Sequence, residues 1–300
     1  MGNVRVQKWN SELQDGDQNG SNAGFRMKLG VDMCKMKAKD IEANILAFGG
    51  NEQELRIYDI NKVEFGDAAS GANNGAWRKP KSEPLFKAKN IADDYLGLRN
   101  PVWITDIDFL DKNENTTNSM GNKLVVSTGY GFIRTYDTLA QKKPVLNLNV
   151  FNENRNRKIT NIAVSPNQYD VFFTDNSGII CQLDLRKATS SSIDFAVSTN
   201  QNKTPFIVES YKGATGAVTS MAVVGQTDGL FLATVSLDRF FRLYRINIGS
   251  TYKHSKMIHQ TYLKQRMSAV CWDSTRSIYN SDDIVQEELD EVWDKIDTVH

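Results

Sequence analysis

Residues 45–59 have the sequence Ile-Leu-Ala-Phe-Gly-Gly-Asn-Glu-Gln-Glu-Leu-Arg-Ile-Tyr-Asp. An apolar run leads into a turn rich in Gly and Asn, and a short alternating strand follows that ends in an aromatic residue and an acid. The same unit recurs at residues 124–137, 171–184 and 230–245. Two strand-like runs joined by such a turn are typical of a β-hairpin, and a unit that returns along the chain indicates a repeat architecture.

A further alternating strand precedes each unit, at residues 31–36, 104–109, 159–164 and 218–223. Three strands in succession, followed by a looser crossover, predict one blade of an all-β, WD40-type β-propeller. The units are unevenly spaced, so we assign the excess to loops or insertions at residues 61–100, 111–122 and 186–216. A β-sandwich also uses many short strands, but the repeated turn-strand-Tyr-Asp unit favours the propeller.

Fragments of the pattern lie at both ends of the repeat region. Residues 4–9 resemble the last strand of an earlier blade, and residues 267–272 resemble the opening strand of a later one. We therefore predict a partial propeller over residues 1–275, with about four complete blades and two partial ones. That number is near the lower bound for a closed ring, so an open ring and a closed one both remain available.

The C-terminal segment, residues 276–300, differs from the rest in charge. Residues 282–297 carry eight acids against Lys295, whereas the whole chain has a net charge of zero. The remainder is therefore mildly basic. One apolar face among the acids predicts a short amphipathic helix, which packs on the propeller or docks in the groove of a partner. Its residues are Val285, Leu289, Val292, Trp293 and Ile296.

The sequence offers little for catalysis, metal binding or a cofactor. Its three histidines stand apart from any second ligand cluster, and it has no phosphate-binding loop, nucleophile elbow or paired cysteines. We interpret Asp59, Asp137 and Asp184 as residues that end strands and accept hydrogen bonds from the following turn. No apolar run approaches the roughly 18 residues of a membrane helix. We therefore expect a non-catalytic chain with no membrane partner and no small-molecule substrate.

The most distinctive stretch is residues 84–109, in a predicted crossover between two blades. It combines cations with amides and aromatic residues, a mixture that suits contacts with phosphates and bases or with a protein surface. The candidate binding residues are Lys87, Lys89, Asn90, Asp94, Arg99 and Trp103. The structural alternative is that Tyr95, Leu98 and Trp103 pack the loop onto its blade, which we favour for Trp103. A second basic run, residues 155–158, is more typical of a solvated loop.

These blocks resemble the nucleolar WD repeat-containing protein 74 family. The motifs occur in the family's order: Gly49-Gly50, Phe86-Lys-Ala-Lys-Asn90, Asp94-Tyr-Leu-Gly-Leu-Arg-Asn-Pro-Val-Trp103, Thr128-Gly-Tyr130 and Leu237-Asp-Arg239. Generic WD proteins share the turns but not the second and third blocks. Tyr262-Leu-Lys264 and Asp290-Glu-Val-Trp293 also match, so the likeness covers roughly residues 30–296. The family's propeller has about seven blades, and this chain begins at what would be the last strand of the third.

The resemblance implies a nucleolar scaffold in ribosome biogenesis that assists rRNA processing. Such a factor binds early large-subunit (pre-60S) precursors together with other assembly factors and rRNA, and a AAA-type ATPase later releases it. Two other hypotheses stand beside it. One is a generic WD adaptor such as a ubiquitin-ligase substrate receptor. The other is a propeller hydrolase, which requires a pair of carboxylates from different blades to converge in a pocket.

Overall fold

A computed structural model describes residues 2–7, 24–30, 32–39, 44–62, 83–110, 122–151, 157–189, 207–226, 229–246 and 257–272. Of residues 2–7 and 24–30 it describes the backbone. In this part of the chain, the regular structure besides strands is a 3-10 turn at Ile60–Lys62 and the one-turn helix α1 at Leu185–Thr189. No helix among these residues is long and apolar enough to span a membrane.

The described strands form four four-stranded antiparallel sheets and a two-stranded one. In chain order, the first of these sheets contains β3 (Met33–Ala38), β4 (Ile45–Gly50), β5 (Gln53–Asp59) and β6 (Phe86–Lys87). The second contains β7 (Ile104–Phe109), β8 (Lys123–Thr128), β9 (Phe132–Asp137) and β10 (Leu146–Asn149). The third contains β11 (Ile159–Val164), β12 (Asp170–Asp175), β13 (Ile180–Asp184) and β14 (Ile207–Tyr211). The fourth contains β15 (Val218–Gln226), β16 (Gly229–Ser236), β17 (Phe240–Ile246) and β18 (Met257–Tyr262).

Each four-stranded sheet is one blade, with its strands side by side in chain order. The first strands of neighbouring blades, β3 with β7, β7 with β11 and β11 with β15, lie next to one another. They therefore form the inner rim, and the fourth strand of each blade lies outermost. Radial sheets that share an inner rim are the architecture of a propeller. The predicted fold class is confirmed.

The hydrophobic core lies between the blades. Each of its three clusters takes residues from two neighbouring blades, so the second strand of a blade is buried on both faces. On β12, for example, Val171 and Phe173 face the second blade while Phe172 faces the fourth. A strand buried on both faces is a continuous apolar run, which explains why such runs mark the repeat in the sequence. Each fully buried side chain of this size contributes about 1.5–3 kcal/mol.

The outermost strands were not predicted. β6 and β14 lie in stretches that the sequence assigned to loops, β10 lies in the crossover between the second and third units, and β18, where the resemblance alone pointed to a strand at Tyr262, is exposed at every residue. A short strand with little buried surface carries almost no apolar signal, and its position is set by pairing with the third strand. Each blade therefore has four strands, where the sequence indicated three.

The repeated acid at the end of the third strand has the structural role that the sequence predicted. The side chain of Asp59 accepts a hydrogen bond from the backbone N–H of Asn61, at 3.0 Å. Asp137 does the same for Leu139, and Asp184 for Arg186, also at 3.0 Å. These acids stop the strand and open the following turn by satisfying a backbone donor.

Two acids of β7 connect three blades at the inner rim. Asp106 accepts a hydrogen bond from the backbone of Ile162 on β11, at 2.9 Å, and lies 3.4 Å from the ammonium group of Lys35 on β3. Asp108 repeats this arrangement two residues further on, with Val164 at 2.9 Å and Lys37 at 3.3 Å. Burial raises the pKa of Asp106, and Lys35 opposes that shift. Each carboxylate thus satisfies donors from both neighbouring blades.

The partial blades differ in detail from the prediction. The N-terminal fragment is a strand, β1 (Gly2–Gln7), which pairs with β2 (Gly24–Gly30), so β2 and not β1 directly precedes the first blade. Residues 267–272 are not a strand. They nevertheless run along β15, because the Met267 carbonyl accepts a hydrogen bond from Thr219 and the Val270 N–H donates to Ser220. The predicted C-terminal helix lies outside the described residues.

Candidate functional site

The predicted binding residues fall on the outer strand of the first blade and on the connection to the second blade. We call residues 88–103 the crossover loop. Lys87, on β6, and Lys89, at the start of the loop, are exposed because they alternate with the buried residues Phe86 and Ala88. Phe86 and Ala88 anchor this segment in the core between the first two blades. The strand period therefore turns both ammonium groups outward.

Two asparagines hold the base of the crossover loop closed. The Asn90 amide donates to the backbone carbonyl of Asn100 at 2.5 Å, and the Asn100 amide donates to the carbonyl of Ala92 at 2.6 Å. The side-chain oxygen of Asn90 also accepts a hydrogen bond from the N–H of Ile91, at 2.9 Å. Asn90 therefore links the start of the crossover loop to its end at Asn100, and this hydrogen bond fixes the distance between the two ends.

Asp94 organises the tip of the loop. One of its carboxylate oxygens accepts hydrogen bonds from the backbone of Leu96, at 2.9 Å, and of Leu98, at 2.8 Å. Its own N–H donates to the Leu98 carbonyl at 3.0 Å, and Gly97 has the positive φ of 74° that closes the turn. These bonds set the loop's conformation before any partner arrives, which lowers the entropy cost of binding.

The tip exposes an apolar surface, which we call the apolar tip and define as Tyr95, Leu96 and Leu98. Tyr95 is 93% exposed, Leu96 65% and Leu98 61%. The alternative that Tyr95 and Leu98 pack the loop onto its blade was wrong, since both side chains project into solvent. An ordered loop that presents three large apolar side chains together is typical of a site for another macromolecule.

Arg99 and Trp103 lie at the end of the crossover loop. Arg99 is exposed, whereas Trp103 packs against neighbouring residues. Arg99 forms an exposed ion pair with Glu52, at 3.3 Å, which contributes at most about 1 kcal/mol. Trp103 pairs with Asn51, its carbonyl accepts a hydrogen bond from Gly129, and its ring meets that of Tyr130 edge to face. A Cβ on Gly129 would lie 2.2 Å from the Trp103 ring, so the two residues are in close contact.

The contacts of Trp103 join three blades at the surface. The ammonium group of Lys158, just before β11, lies 4.5 Å from the centre of the Trp103 ring. Its neighbour Arg157 forms an ion pair with the buried carboxylate of Asp175 at 2.9 Å. The two described residues of the basic run 155–158 therefore have structural contacts, and Trp103 packs as the sequence favoured.

Lys87 lies at a cavity that sequence reasoning missed. The cavity has a volume of about 790 Å³ and lies between the end of the first blade and the β9–β10 connection of the second. Its lining includes Glu83, Leu85, Lys87, Leu139 and Lys142. Residues 138–145 gave no signal because they look like an ordinary turn. The two segments are distant in sequence, and packing of the blades brings them together.

A polar cluster lies beside the start of the crossover loop, between the first two blades. Burial raises the pKa of the Glu54 carboxyl, and the nearby Arg134 opposes that shift. Both carboxylate oxygens of Glu54 are buried with no hydrogen-bond partner. Burial also raises the pKa of Tyr136, on β9, to about 12. The ionised form of Glu54 is therefore unfavourable in the interface between the first two blades.

The acids of β7 have structural partners in the part of the chain that the structure describes. Asp106 and Asp108, on the same strand, are engaged by lysines and by backbone N–H groups. Glu83 is the one acid among the described residues that line the cavity. In the same part of the chain, no group of three or more His, Cys, Asp or Glu residues could hold a metal ion.

The geometry defines a class of protein, a WD-like propeller segment with an ordered surface loop. No family model matches the chain. It is 27% identical to WD repeat-containing protein 74 of Bos taurus, over 82% of this chain and 50% of that protein. It is 26% identical to the Homo sapiens protein of the same name, over the same shares. It is also 27% identical to the ribosome biogenesis protein NSA1 of Meyerozyma guilliermondii, over 76% of this chain and 52% of that protein.

These relatives confirm the resemblance that the motifs predicted. Mammalian WD-repeat proteins and a yeast ribosome biogenesis protein match the same chain, and each of these three matches covers three quarters of it or more. The chain spans about half the length of the curated relatives that it matches.

Proposed function

We propose that this chain is a non-catalytic WD-repeat scaffold in ribosome biogenesis. The observation that carries the proposal is its similarity to yeast relatives whose name is ribosome biogenesis protein, over 76% and 89% of the chain. A propeller suits the role, because its blades support loops that bind several partners on a rigid frame. The chain assists rRNA processing and assembly of early large-subunit (pre-60S) precursors in the nucleolus, and a AAA-type ATPase releases it.

The crossover loop is the contact surface that we assign to assembly factors. Its backbone is fixed by Asn90, Asn100 and Asp94, and its apolar tip is exposed. Three exposed cations belong to the same stretch of chain: Lys87 on β6 just before the loop, Lys89 at its start and Arg99 beyond its tip. An apolar centre with a polar rim is the usual anatomy of a protein interface. A few central residues contribute most of the binding energy in such interfaces, and tyrosine, here Tyr95, is among the residue types most often found in that role.

Co-sedimentation in cells tests the proposal. The tagged chain should migrate with pre-60S particles on a sucrose gradient and should recover assembly factors and precursor rRNA. Replacing Tyr95, Leu96 and Leu98 together by Ser should reduce the particle-bound fraction about tenfold or more, because truncating a few anchors costs more than about 1–2 kcal/mol. Replacing Lys87, Lys89 and Arg99 by Ala should also weaken association, without unfolding the protein.

The matched control replaces two exposed apolar residues of other blades, Val208 and Leu237, by Ser. They are both 46% exposed and lie far along the chain from the crossover loop. This variant should sediment as the wild type does. Wild-type protein found in small complexes without rRNA would contradict the proposed function. Recovery with ubiquitin-ligase subunits instead would indicate the adaptor.

A further inference from the structure

Four lysines lie at the cavity between the first two blades or beside its lining residues in the chain, and we call the surface that they form the lysine groove. Lys87 and Lys142 line the cavity, and Lys89 and Lys143 are their neighbours in the chain. The backbone N–H of Lys89 donates to the carbonyl of Lys142 at 2.8 Å, which holds the two segments together. All four side chains are exposed, and none forms an ion pair with an acid in the described ranges. Glu83 is the one acid among the described lining residues, so the four lysines leave the groove with a net positive charge.

The groove is held in shape by buried residues and by local hydrogen bonds. Tyr58 and Phe86, which are 5% and 6% exposed, form its floor. On the opposite side, the Gln141 N–H donates to the Asp137 carbonyl, and the Gln141 side chain donates to the Pro144 carbonyl at 3.0 Å. The lysines therefore extend from a preformed surface, and a ligand has little backbone to order.

We propose that the lysine groove binds the phosphate backbone of single-stranded RNA. This inference rests on the proposed function, which brings the chain to an RNA-containing particle. A lysine ammonium is a compact charge that contacts a phosphate from many directions, so a cluster of lysines holds a strand without reading its sequence. At the rim, Leu85 is 52% exposed and Leu139 69%. They offer apolar contacts to base faces, which a single strand exposes and a duplex hides.

Charge density favours RNA over an acidic peptide as the occupant. A nucleic-acid strand carries one charge about every 3.4 Å, which suits lysines clustered around one cavity. The described residues that line this groove supply lysine and no arginine, and lysine binds a phosphate as a point charge, without the fixed two-pronged geometry that selects a particular carboxylate or phosphate. The acidic segment 282–297 of this chain is therefore a competitor to be tested, and not the occupant that we propose.

Fluorescence anisotropy with the purified full chain tests the groove. The probe is a labelled oligouridylate of 12 nucleotides, titrated between 50 and 200 mM salt. Each phosphate contact contributes about 0.7 to the slope of log affinity against log salt for single strands. Replacing Lys87 and Lys142 by Ala should therefore lower the slope by about 1.4. If the affinities of the wild type and the variant converge near 1 M salt, this difference in slope corresponds to about a 25-fold loss of affinity at 0.1 M salt. Lys87→Arg with Lys142→Arg should restore binding.

The matched control replaces Lys212 and Lys264, which are exposed lysines before and after the strands of the fourth blade, by Ala. An equal loss of affinity in this control would overturn the proposal, since net charge alone would then explain the binding. Unchanged affinity of the Lys87/Lys142 variant would overturn it as well. So would equal affinity for a duplex of the same length, or binding of a 282–297 peptide through these lysines in place of RNA. Circular dichroism of each variant checks folding.

The two experiments distinguish a wrong proposal about the lysine groove from a wrong proposal about function. If the groove is wrong, the Lys87/Lys142 variant binds oligouridylate normally while the wild-type chain still sediments with pre-60S particles. If the proposed function is wrong, the wild-type chain is absent from those particles, whatever its affinity for RNA.

Discussion

At the scale of single residues, burial decides which charged groups stabilise the fold and which weaken it. Burial raises the pKa of Asp238, but hydrogen bonds from Arg242 and Ser236 and from the backbone outweigh it and hold the pKa well below its usual range. That ionised carboxylate stabilises the fold above the pKa of the unfolded chain, and the stabilisation is lost as the pH falls towards its lower folded value. Glu54 is the opposite case, because burial raises its pKa and neither carboxylate oxygen is hydrogen-bonded.

Glu54→Gln should therefore stabilise the protein at neutral pH. The raised pKa means that the folded state holds the proton more tightly than the unfolded state. The stability that protonation provides is complete below the ordinary pKa near 4.5 and is lost as the pH rises through the folded value. The amide does not ionise, so the variant should melt above the wild type at pH 7, by a margin that disappears near pH 4. Differential scanning calorimetry across this range measures the margin.

Glu52→Gln is the matched control for this measurement. Glu52 is a neighbouring glutamate that is 55% exposed and paired with Arg99, so its neutralisation should change the melting temperature little at either pH. A Glu54→Gln variant that melts below the wild type at pH 7 would mean that attraction to Arg134 outweighs the cost of burial.

At the scale of elements, Asp94 orders the crossover loop without contributing to the core. Asp94→Ala removes two hydrogen bonds to a carboxylate, which together stabilise the turn by about 1–3 kcal/mol. Local opening should become roughly ten times more frequent, and chymotrypsin should cleave at Tyr95 or Leu98 about tenfold faster. The melting temperature should stay within about 1 °C of the wild type, since the tip buries no core residue.

The control is Asp93→Ala, one position earlier. Asp93 is exposed, and no side-chain hydrogen bond to it is found in the described part of the chain. Its removal should leave the cleavage rate unchanged. Equal rates in the two variants would show that the loop's order does not depend on Asp94.

The strand pattern of the sequence predicted the first three strands of each blade and missed the outermost, fourth strand. The second strands carry apolar runs because both of their faces are buried, so β8 and β12 were evident from the sequence. The outer strand β6 was missed because it has two residues and takes its position from β5. Lys87 and Lys89 were predicted as candidate contact residues, and both side chains are exposed. Lys142 was not, because its proximity to Lys87 depends on how two blades pack. The binding roles of all six candidate residues remain predictions.

At the scale of the whole molecule, the blades form a row in which each one contacts its neighbours. Stability in such a row is approximately the sum of the blades and of their interfaces, so residues that connect several blades have effects beyond their own strand. Asp108 is such a residue, because it lies on β7, accepts a hydrogen bond from β11 and pairs with a lysine of β3.

Asp108→Ala should weaken three blades together. It leaves the buried N–H of Val164 without its acceptor, which costs about 1–3 kcal/mol, while Lys37 is 44% exposed and can return to water. We expect urea unfolding to show a loss of about 2–3 kcal/mol. Asp59→Ala, which removes one turn hydrogen bond within a single blade, should cost about 1 kcal/mol. Hydrogen exchange separates the two cases, because amides of β3, β7 and β11 should all lose protection in Asp108→Ala, whereas Asp59→Ala should affect the first blade alone. If Asp108→Ala affects β7 alone, the blades do not depend on one another through this carboxylate.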